Sequence, residues 1–153
     1  MTEAVSTGPI HATAVSIRGR GLLLMGPPGS GKSDLALRLI DRGAVLIADD
    51  RVVVGRGVPA LLSAPAAIAG QIELRGVGIV TMPHVDGVPA ALVVRLDDAA
   101  ERMPQPMAFA LGEATVPLIV LAPFEASAPL KIELALANGL PNAAGLAQCS
   151  MNV

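Results

Sequence analysis

One short stretch of the sequence limits the fold more than any other. Residues 26–33 read GPPGSGKS, which matches the phosphate-binding pattern G-x-x-x-x-G-K-[ST] at every fixed position. An apolar run at 22–25 precedes it, and helical periodicity begins at Lys32. The alternative is a Gly/Pro-rich loop that binds no ligand. The order of strand, loop and helix instead favours a phosphate-binding loop (P-loop) in an α/β domain.

The residue types in this loop have physical roles. Glycines let consecutive backbone N–H groups converge on phosphate oxygens, and the following helix adds the partial positive charge of its N-terminus. Lys32 is expected to act catalytically by reaching the β- and γ-phosphates, and Ser33 to place its hydroxyl on Mg²⁺. The predicted nucleotide-binding residues are Gly26, Pro27, Pro28, Gly29, Ser30, Gly31, Lys32 and Ser33.

Two carboxylates follow the next apolar run. Val45–Ala48 has the continuous apolar character of a strand buried on both faces, and Asp49 and Asp50 stand at its carboxyl end. Open α/β sheets bind ligands at that end of their strands. One carboxylate could hold a metal while the other accepts a proton from an attacking hydroxyl. A solvated turn is the alternative, but the nearby P-loop favours a catalytic pair.

Short strands are expected along most of the chain. Segments 10–17 and 22–25 predict a hairpin around a four-residue loop at 18–21. Further strands are predicted at 45–48, 51–54, 59–62, 72–74, 88–96, 107–111 and 116–121.

Two helices are expected among these strands. Helical periodicity runs over residues 32–42, and Gly43 is placed to end it. A second helix is predicted at 129–138, with Pro129 in its first turn and Gly139 past its end. The sequence therefore predicts an α/β domain with few helices.

Length and charge exclude several classes of protein. The 153 residues fit a single domain, with 1–9 as a flexible tail because it lacks a signal-peptide pattern. The 11 basic and 13 acidic residues form no basic stripe, and Trp and Tyr are absent, so nucleic acid is not expected as a partner. Gly, Glu and Pro interrupt the longest apolar stretch, 107–124, so no membrane span is expected. The single Cys149 favours a reducing, cytoplasmic setting.

Several polar residues are ambiguous on pattern alone. Glu73 alternates onto the exposed face of a short strand, as is typical of a surface charge. His11 and His84 lack the spacing of metal ligands and are more typical of surface or structural histidines. The pair Asp97-Asp98 is more typical of a helix cap or solvated turn than of a metal site.

Taken in order, these motifs resemble a known family, the catalytic domain of HPr kinase/phosphorylase. The resemblance begins at His11, takes in the P-loop at 26–33 and the helical segment at 35–43, and continues through ADDRV at 48–52. It resumes with IELRGVGIV at 72–80, which is similar to the family's signature segment. The order and spacing of these motifs are far more specific than the P-loop alone.

The resemblance implies a P-loop-containing kinase-like domain with a mixed, strand-rich sheet. It also implies transfer of phosphate from ATP, with Mg²⁺, to a serine of HPr, the small phosphocarrier protein of the sugar phosphotransferase system. In that reading Asp49 is the base toward the serine, Asp50 lies beside it near the metal, and His11 orients the base. Glu73 would join Ser33 and Asp50 at the Mg²⁺ site.

The sequence departs from the family pattern in two places. Family members usually carry an N-terminal domain that has no counterpart here, and a basic stretch near the last helix that grips phosphate for the reverse, dephosphorylating reaction. Residues 121–130 contain no Lys or Arg, and Lys131 is the nearest basic residue. We therefore expect the kinase reaction, whereas the survival of its reverse stays open. Family members are commonly hexameric, which leaves assembly into a homo-oligomer open.

Two other functions stay open on the sequence. A small-molecule kinase could use the same loop, and it would consume ATP in response to a metabolite. A non-catalytic ATP-sensing module would bind ATP without forming a phosphoprotein, and the missing basic stretch keeps this alternative in view. Transfer of label from ATP to HPr distinguishes a protein kinase from both.

Overall fold

Strands are the predominant regular structure of the fold. The computed structural model describes residues 2–5 and 8–138, which contain twelve strands and two α-helices. The strands are β1 (Thr2–Val5), β2 (Gly8–His11), β3 (Thr13–Ile17), β4 (Arg20–Met25), β5 (Val45–Ala48), β6 (Arg51–Val54), β7 (Leu61–Ser63), β8 (Gln71–Leu74), β9 (Gly78–Thr81), β10 (Val88–Leu96), β11 (Met107–Leu111) and β12 (Ala114–Leu121). The helices are α1 (Lys32–Asp41) and α2 (Ala128–Asn138), and a short 3-10 turn covers Ala66–Ile68. The predicted α/β class, rich in strands, is confirmed.

One large sheet carries the topology that positions the site. Its main path runs β1-β11-β12-β10-β4-β3-β5, and β7, β6 and β2 extend it from β10. Strand β10 is parallel to both β12 and β4, and β3 is antiparallel to both β4 and β5. Strands β12, β10, β4 and β5 therefore run in one direction and end at the same edge. Open α/β sheets bind ligands at this carboxyl edge.

Strand β4 is buried on both of its faces. Leu22, Leu23 and Leu24 are each 0% exposed. Because successive side chains of a strand point to opposite faces, Leu22 and Leu24 pack with the helices, and Leu23 packs in a second cluster on the other face. Full burial of one leucine contributes about 1.5–3 kcal/mol. The loop that follows β4 therefore starts from a firmly anchored strand.

Helix α1 forms where the periodicity predicts it. Leu35, Ala36 and Leu39 are its buried residues, and they pack against the sheet. Gly43 has a φ of 112° and donates its N–H to the carbonyl of Ile40, so the predicted helix end is confirmed. Neither α1 nor α2, the helices within the described residues, has the length and apolarity of a membrane-spanning segment.

The first hairpin differs from its prediction. The single strand expected at 10–17 is two strands, because β2 pairs with β6 whereas β3 pairs with β4 and β5. The expected four-residue loop is a two-residue turn, since Ile17 pairs directly with Arg20. Arg18 and Gly19 have φ of 53° and 81°, the positive values that a tight hairpin turn requires.

Three strands were absent from the prediction or only partly predicted. The flexible tail expected at 1–9 is wrong where Thr2–Val5 forms β1 beside β11 and Gly8–His11 forms β2 beside β6. Strand β9 pairs with β8 in a separate two-stranded sheet. Strands β1 and β2 pair with partners far along the chain, which local patterns do not reveal.

Gly139 and Cys149 lie outside the described residues.

An ion pair joins α2 to the residue that directly follows α1. Arg42 donates from Nε and Nη2 to the Glu133 carboxylate, with a closest N–O distance of 2.8 Å. The hydrogen bond from Arg42 is the main cause that lowers the pKa of the Glu133 carboxyl. A carboxyl with a lowered folded pKa stabilises the fold above its unfolded pKa, about 4.3, and loses that contribution as the pH falls through the folded value.

We expect Glu133→Gln to lower the midpoint of urea unfolding slightly at pH 7, because the pair lies at the surface. The difference from the wild type should shrink as the pH falls below about 4. Glu113→Gln, in an exposed turn, is the matched control and should show no such trend. A Glu133→Gln effect that is equally large at low pH would contradict the assigned role of the ion pair.

Candidate active site

The P-loop connects β4 to α1. Within residues 26–33, the backbone N–H of Ser30 donates to the carbonyl of Pro27 over 3.1 Å, which turns the loop back on itself. Gly29 and Gly31 have φ of 80° and 98°, a backbone conformation that other residues rarely adopt. Glycine therefore stands at the two positions where the turns of the loop require it.

Donor groups and positive charge converge on this loop. Helix α1 begins at Lys32, directly after Gly31, which has no side chain to cap the helix. The first N–H groups of a helix lack partners within the helix and carry the positive end of its dipole. Lys32 Nζ donates to the carbonyls of Gly26 (2.8 Å) and Pro27 (3.1 Å) and is thereby held at the loop. These groups fit the phosphates of a nucleotide.

A buried carboxylate is bonded directly to the end of the P-loop. Asp49 follows β5 and is 6% exposed. Ser33 Oγ donates to Asp49 Oδ1 over 2.7 Å, and Thr13 Oγ1 donates to the same oxygen over 2.9 Å. The backbone N–H of Glu73 donates to Asp49 Oδ2 over 2.9 Å. Three neighbours from α1, β3 and β8 thus fix the position of this carboxylate.

Two of these contacts were not predicted from the sequence. Thr13 is fully buried in β3, and a single threonine in an apolar strand belongs to no motif. The need of a buried hydroxyl for a partner is the one signal that could have found it. Glu73 was expected to act through its side chain, whereas the structure brings its backbone N–H to Asp49 and leaves the residue exposed.

Asp50 has a different environment from Asp49. The N–H of Arg51 donates to the carbonyl of Asp49 over 2.8 Å, around Asp50, whose φ is 71°. This i to i+2 bond with a positive φ forms a strained γ-turn. The side chains of His11 and Asp50 are 75% and 72% exposed, and His11 Nδ1 lies 4.0 Å from Asp50 Oδ1. Strained backbone of this kind clusters at functional sites, where it costs about 1–3 kcal/mol.

The oxygen atoms beside the loop suit Mg²⁺. In nucleotide sites this ion is commonly held by one or two carboxylates together with phosphates and water. Ser33 and Asp49 supply a hydroxyl and a carboxylate that already touch. Within residues 2–5 and 8–138, no three His, Cys, Asp or Glu side chains gather into a metal-binding group. The ion would therefore take part of its ligands from the nucleotide, and the predicted metal set with Asp50 and Glu73 stays a prediction.

His84 and Asp97, which are ambiguous on pattern alone, each make a contact with the neighbouring backbone. His84 lies beside Leu46 in an isolated parallel bridge, and its ring packs against Gly70, where an added Cβ would lie 2.8 Å from Nδ1. Asp97 Oδ1 accepts the N–H of Ala99 over 2.9 Å. The interpretation of Asp97 as a turn residue is confirmed.

A family comparison decides the relationship that these features indicate. Residues 3–95 match the model of the HPr Serine kinase C-terminal domain. The match includes the P-loop, both acidic residues after β5, and the β8–β9 hairpin. The chain belongs to the HPr serine kinase family. The resemblance predicted from its motifs is confirmed.

Relatives of the HPr serine kinase family share the same part of the chain. An HPr kinase/phosphorylase from Geobacter sulfurreducens is 43% identical over 84 residues, which are 54% of this chain and 26% of the relative. One from Mycoplasmopsis pulmonis is 40% identical over 84 residues, which are 54% of this chain and 27% of the relative. The matched stretch thus spans about a quarter of the length of each of these relatives.

A solved structure confirms the kinase-like fold. The Hpr(Ser) kinase/phosphatase from Coxiella burnetii matches this HPr serine kinase domain with a TM-score of 0.72 at 30% identity. The match covers 85% of this chain and 94% of that one. The mixed, strand-rich architecture is therefore shared along most of both chains.

Thr13→Val tests how far Asp49 depends on its buried hydroxyl partner. Valine is similar in size but removes one hydrogen bond to a buried carboxylate. We expect the free energy of unfolding, measured by urea titration, to fall by about 1–3 kcal/mol. Thr13→Ser keeps the hydroxyl and should lose less. A smaller loss in Thr13→Val than in Thr13→Ser would show that the methyl group carries the effect and would contradict the role of the hydrogen bond.

Proposed function

We propose that this chain transfers the γ-phosphate of ATP, with Mg²⁺, to a serine of an HPr-like phosphocarrier protein. The 2.7 Å hydrogen bond between Ser33 and Asp49 carries the proposal, because it joins the P-loop to the acidic end of β5. Phosphoryl transfer needs phosphates, metal ligands and a base within one small volume. The relatives are named for action on HPr, which supplies the acceptor.

The P-loop would bind the triphosphate. Lys32 would exchange its bonds to two loop carbonyls for bonds to β- and γ-phosphate oxygens. Ser33 and Asp49 would hold Mg²⁺, which neutralises charge on the transferring phosphate when bound. Thr13 and the backbone N–H of Glu73 would keep the Asp49 carboxylate in position for that task.

The geometry favours Asp50 as the base and Asp49 as the metal ligand, which exchanges the roles implied by the family resemblance. Asp49 is 6% exposed, and both of its oxygens accept hydrogen bonds. Asp50 is 72% exposed. A base must come within hydrogen-bond reach of the hydroxyl that it deprotonates, and a hydroxyl carried by a protein arrives from outside.

In the proposed reaction Asp50 takes the proton of the acceptor serine. The serine oxygen bonds to the γ-phosphorus while the bond to the bridging oxygen breaks, and ADP leaves. His11, 4.0 Å from the Asp50 carboxylate, would orient it toward the serine.

The proposal covers the kinase direction only. Residues 121–130 offer no Lys or Arg side chain to hold inorganic phosphate for the reverse reaction. A cytoplasmic setting, favoured by the single cysteine of the chain, completes the proposal.

Incubation of the full chain with γ-labelled ATP, Mg²⁺ and HPr tests the proposed function. We expect label on HPr, and none when alanine replaces the candidate serine of HPr, because that hydroxyl is the acceptor. ATP consumption driven by a metabolite, without a phosphoprotein, would favour a small-molecule kinase. ATP binding without turnover would favour the ATP-sensing module.

Substitutions of the two adjacent carboxylates separate their roles. Asp50→Asn removes the base without touching the P-loop, so we expect transfer to HPr to fall about 10²–10⁴-fold while ATP affinity stays unchanged. Asp49→Asn disturbs the metal site, so both Mg²⁺-dependent ATP binding and transfer should weaken. Asp41→Asn, at the exposed end of α1, is the matched control.

The reverse result would contradict this assignment. If Asp50→Asn transferred phosphate at the wild-type rate, and Asp49→Asn bound Mg-ATP normally but transferred none, Asp49 would be the base.

A further inference from the structure

A cleft opens on the side of the P-loop away from the acidic residues that follow β5. It has a volume of about 370 Å³ and lies between the loop and the carboxyl ends of β10 and β12. Its lining includes Pro28 and Ser30 of the loop, Asp97 and Asp98 after β10, and Phe124 after β12. The cleft therefore extends from the P-loop toward β10 and β12, away from the residues that take part in the proposed reaction.

The order of the strands places the cleft and the reacting groups on opposite sides of the P-loop. Along the carboxyl edge the strands follow the order β12, β10, β4, β3, β5. The P-loop leaves β4, Asp50 follows β5, and the cleft lies on the β10 and β12 side. With the γ-phosphate directed toward Asp50, the nucleoside end of a nucleotide extends toward the cleft. This direction rests on the proposed function.

Phe124 is an exposed aromatic ring that its neighbours hold in place. Arg38 donates to the carbonyls of Pro123 and Glu125, the residues on either side of it. The ring lies against Gly31, where an added Cβ would be 2.8 Å from Phe124 Cζ. The residue is nevertheless 64% exposed. A ring that is both fixed and accessible is suited to stacking on a nucleobase.

The charges of the cleft favour an uncharged occupant. Asp97 and Asp98 are exposed, and none of the described residues that line the cleft is Lys or Arg. Carboxylates repel a further phosphate but accept hydrogen bonds from hydroxyl and amino groups. Asp97 Oδ1 already accepts the N–H of Ala99, so Asp98 is the better acceptor for a ligand.

We propose that this cleft binds the nucleoside part of ATP, with Phe124 stacked on the base and Asp98 accepting hydrogen bonds from the ribose hydroxyls. Asp97, Asp98 and Phe124 all follow residue 95, where the family match ends. The part of the chain that selects the nucleoside is therefore distinct from the part that matches the family model.

Calorimetric titration of the full chain tests this subsite without HPr. With Mg²⁺ present, Phe124→Ala should weaken binding of ATP about tenfold and leave inorganic triphosphate unchanged, because only ATP carries a base to stack. Leu134→Ala truncates an exposed leucine of α2 outside the cleft, and as the matched control it should change neither affinity. Unchanged ATP affinity in Phe124→Ala, or equal weakening of both ligands, would overturn the subsite.

Asp98→Ala gives a second, independent test. The wild type should bind ATP more tightly than 2′,3′-dideoxy-ATP, and Asp98→Ala should remove most of that preference. If Asp98→Ala preferred ATP over 2′,3′-dideoxy-ATP as strongly as the wild type does, the role of Asp98 would be overturned. A wild-type chain that binds neither nucleotide would overturn the proposed function together with the subsite, whereas normal ATP binding with insensitive variants would overturn the subsite alone.

Discussion

The hydrogen bond from Ser33 to Asp49 is the contact on which the rest of the site depends. It joins the start of α1 to the end of β5, and Thr13 from the strand between β4 and β5 donates to the same carboxylate oxygen. Glu73 adds a backbone N–H from β8. A buried carboxylate that loses a partner is costly, so these elements hold one another in register. The position of the P-loop relative to the acidic strand end follows from this one group.

The fixed position of Asp49 explains the geometry of its neighbour. Strands β5 and β6 run in the same direction, antiparallel to β3 and β2, so the chain kinks at Asp50 without reversing. With Asp49 buried before the kink and β6 beginning at Arg51, Asp50 adopts a γ-turn with its side chain outward. The pairing of β2 with β6 sets His11 opposite Arg51 and so brings it beside Asp50. Of these two carboxylates adjacent in sequence, Asp49 is therefore buried and Asp50 is accessible. This difference is the basis for giving them different roles.

The sequence was informative where the signals are local. The P-loop, α1 and β5 each have their own periodicity or motif, and the structure has all three at the predicted places. Contacts between distant segments were not predictable, because β1 and β2 pair with β11 and β6 through backbone groups that no side-chain pattern marks. The bond from the Thr13 hydroxyl to Asp49 was not predictable either, because it joins distant residues and Thr13 belongs to no motif. Alternation also could not tell which of Asp49 and Asp50 is buried, since the γ-turn interrupts the strand between them.

A crystal structure of the chain with a non-hydrolysable ATP analogue, and with Mn²⁺ in place of Mg²⁺, tests the central claim most directly. The account predicts an anomalous Mn²⁺ peak bonded to Ser33 Oγ, beside Asp49, with the triphosphate in the loop at 26–33 and Asp50 facing the γ-phosphate. A metal and triphosphate bound away from this loop, or an Asp49 carboxylate turned away from Ser33, would contradict it.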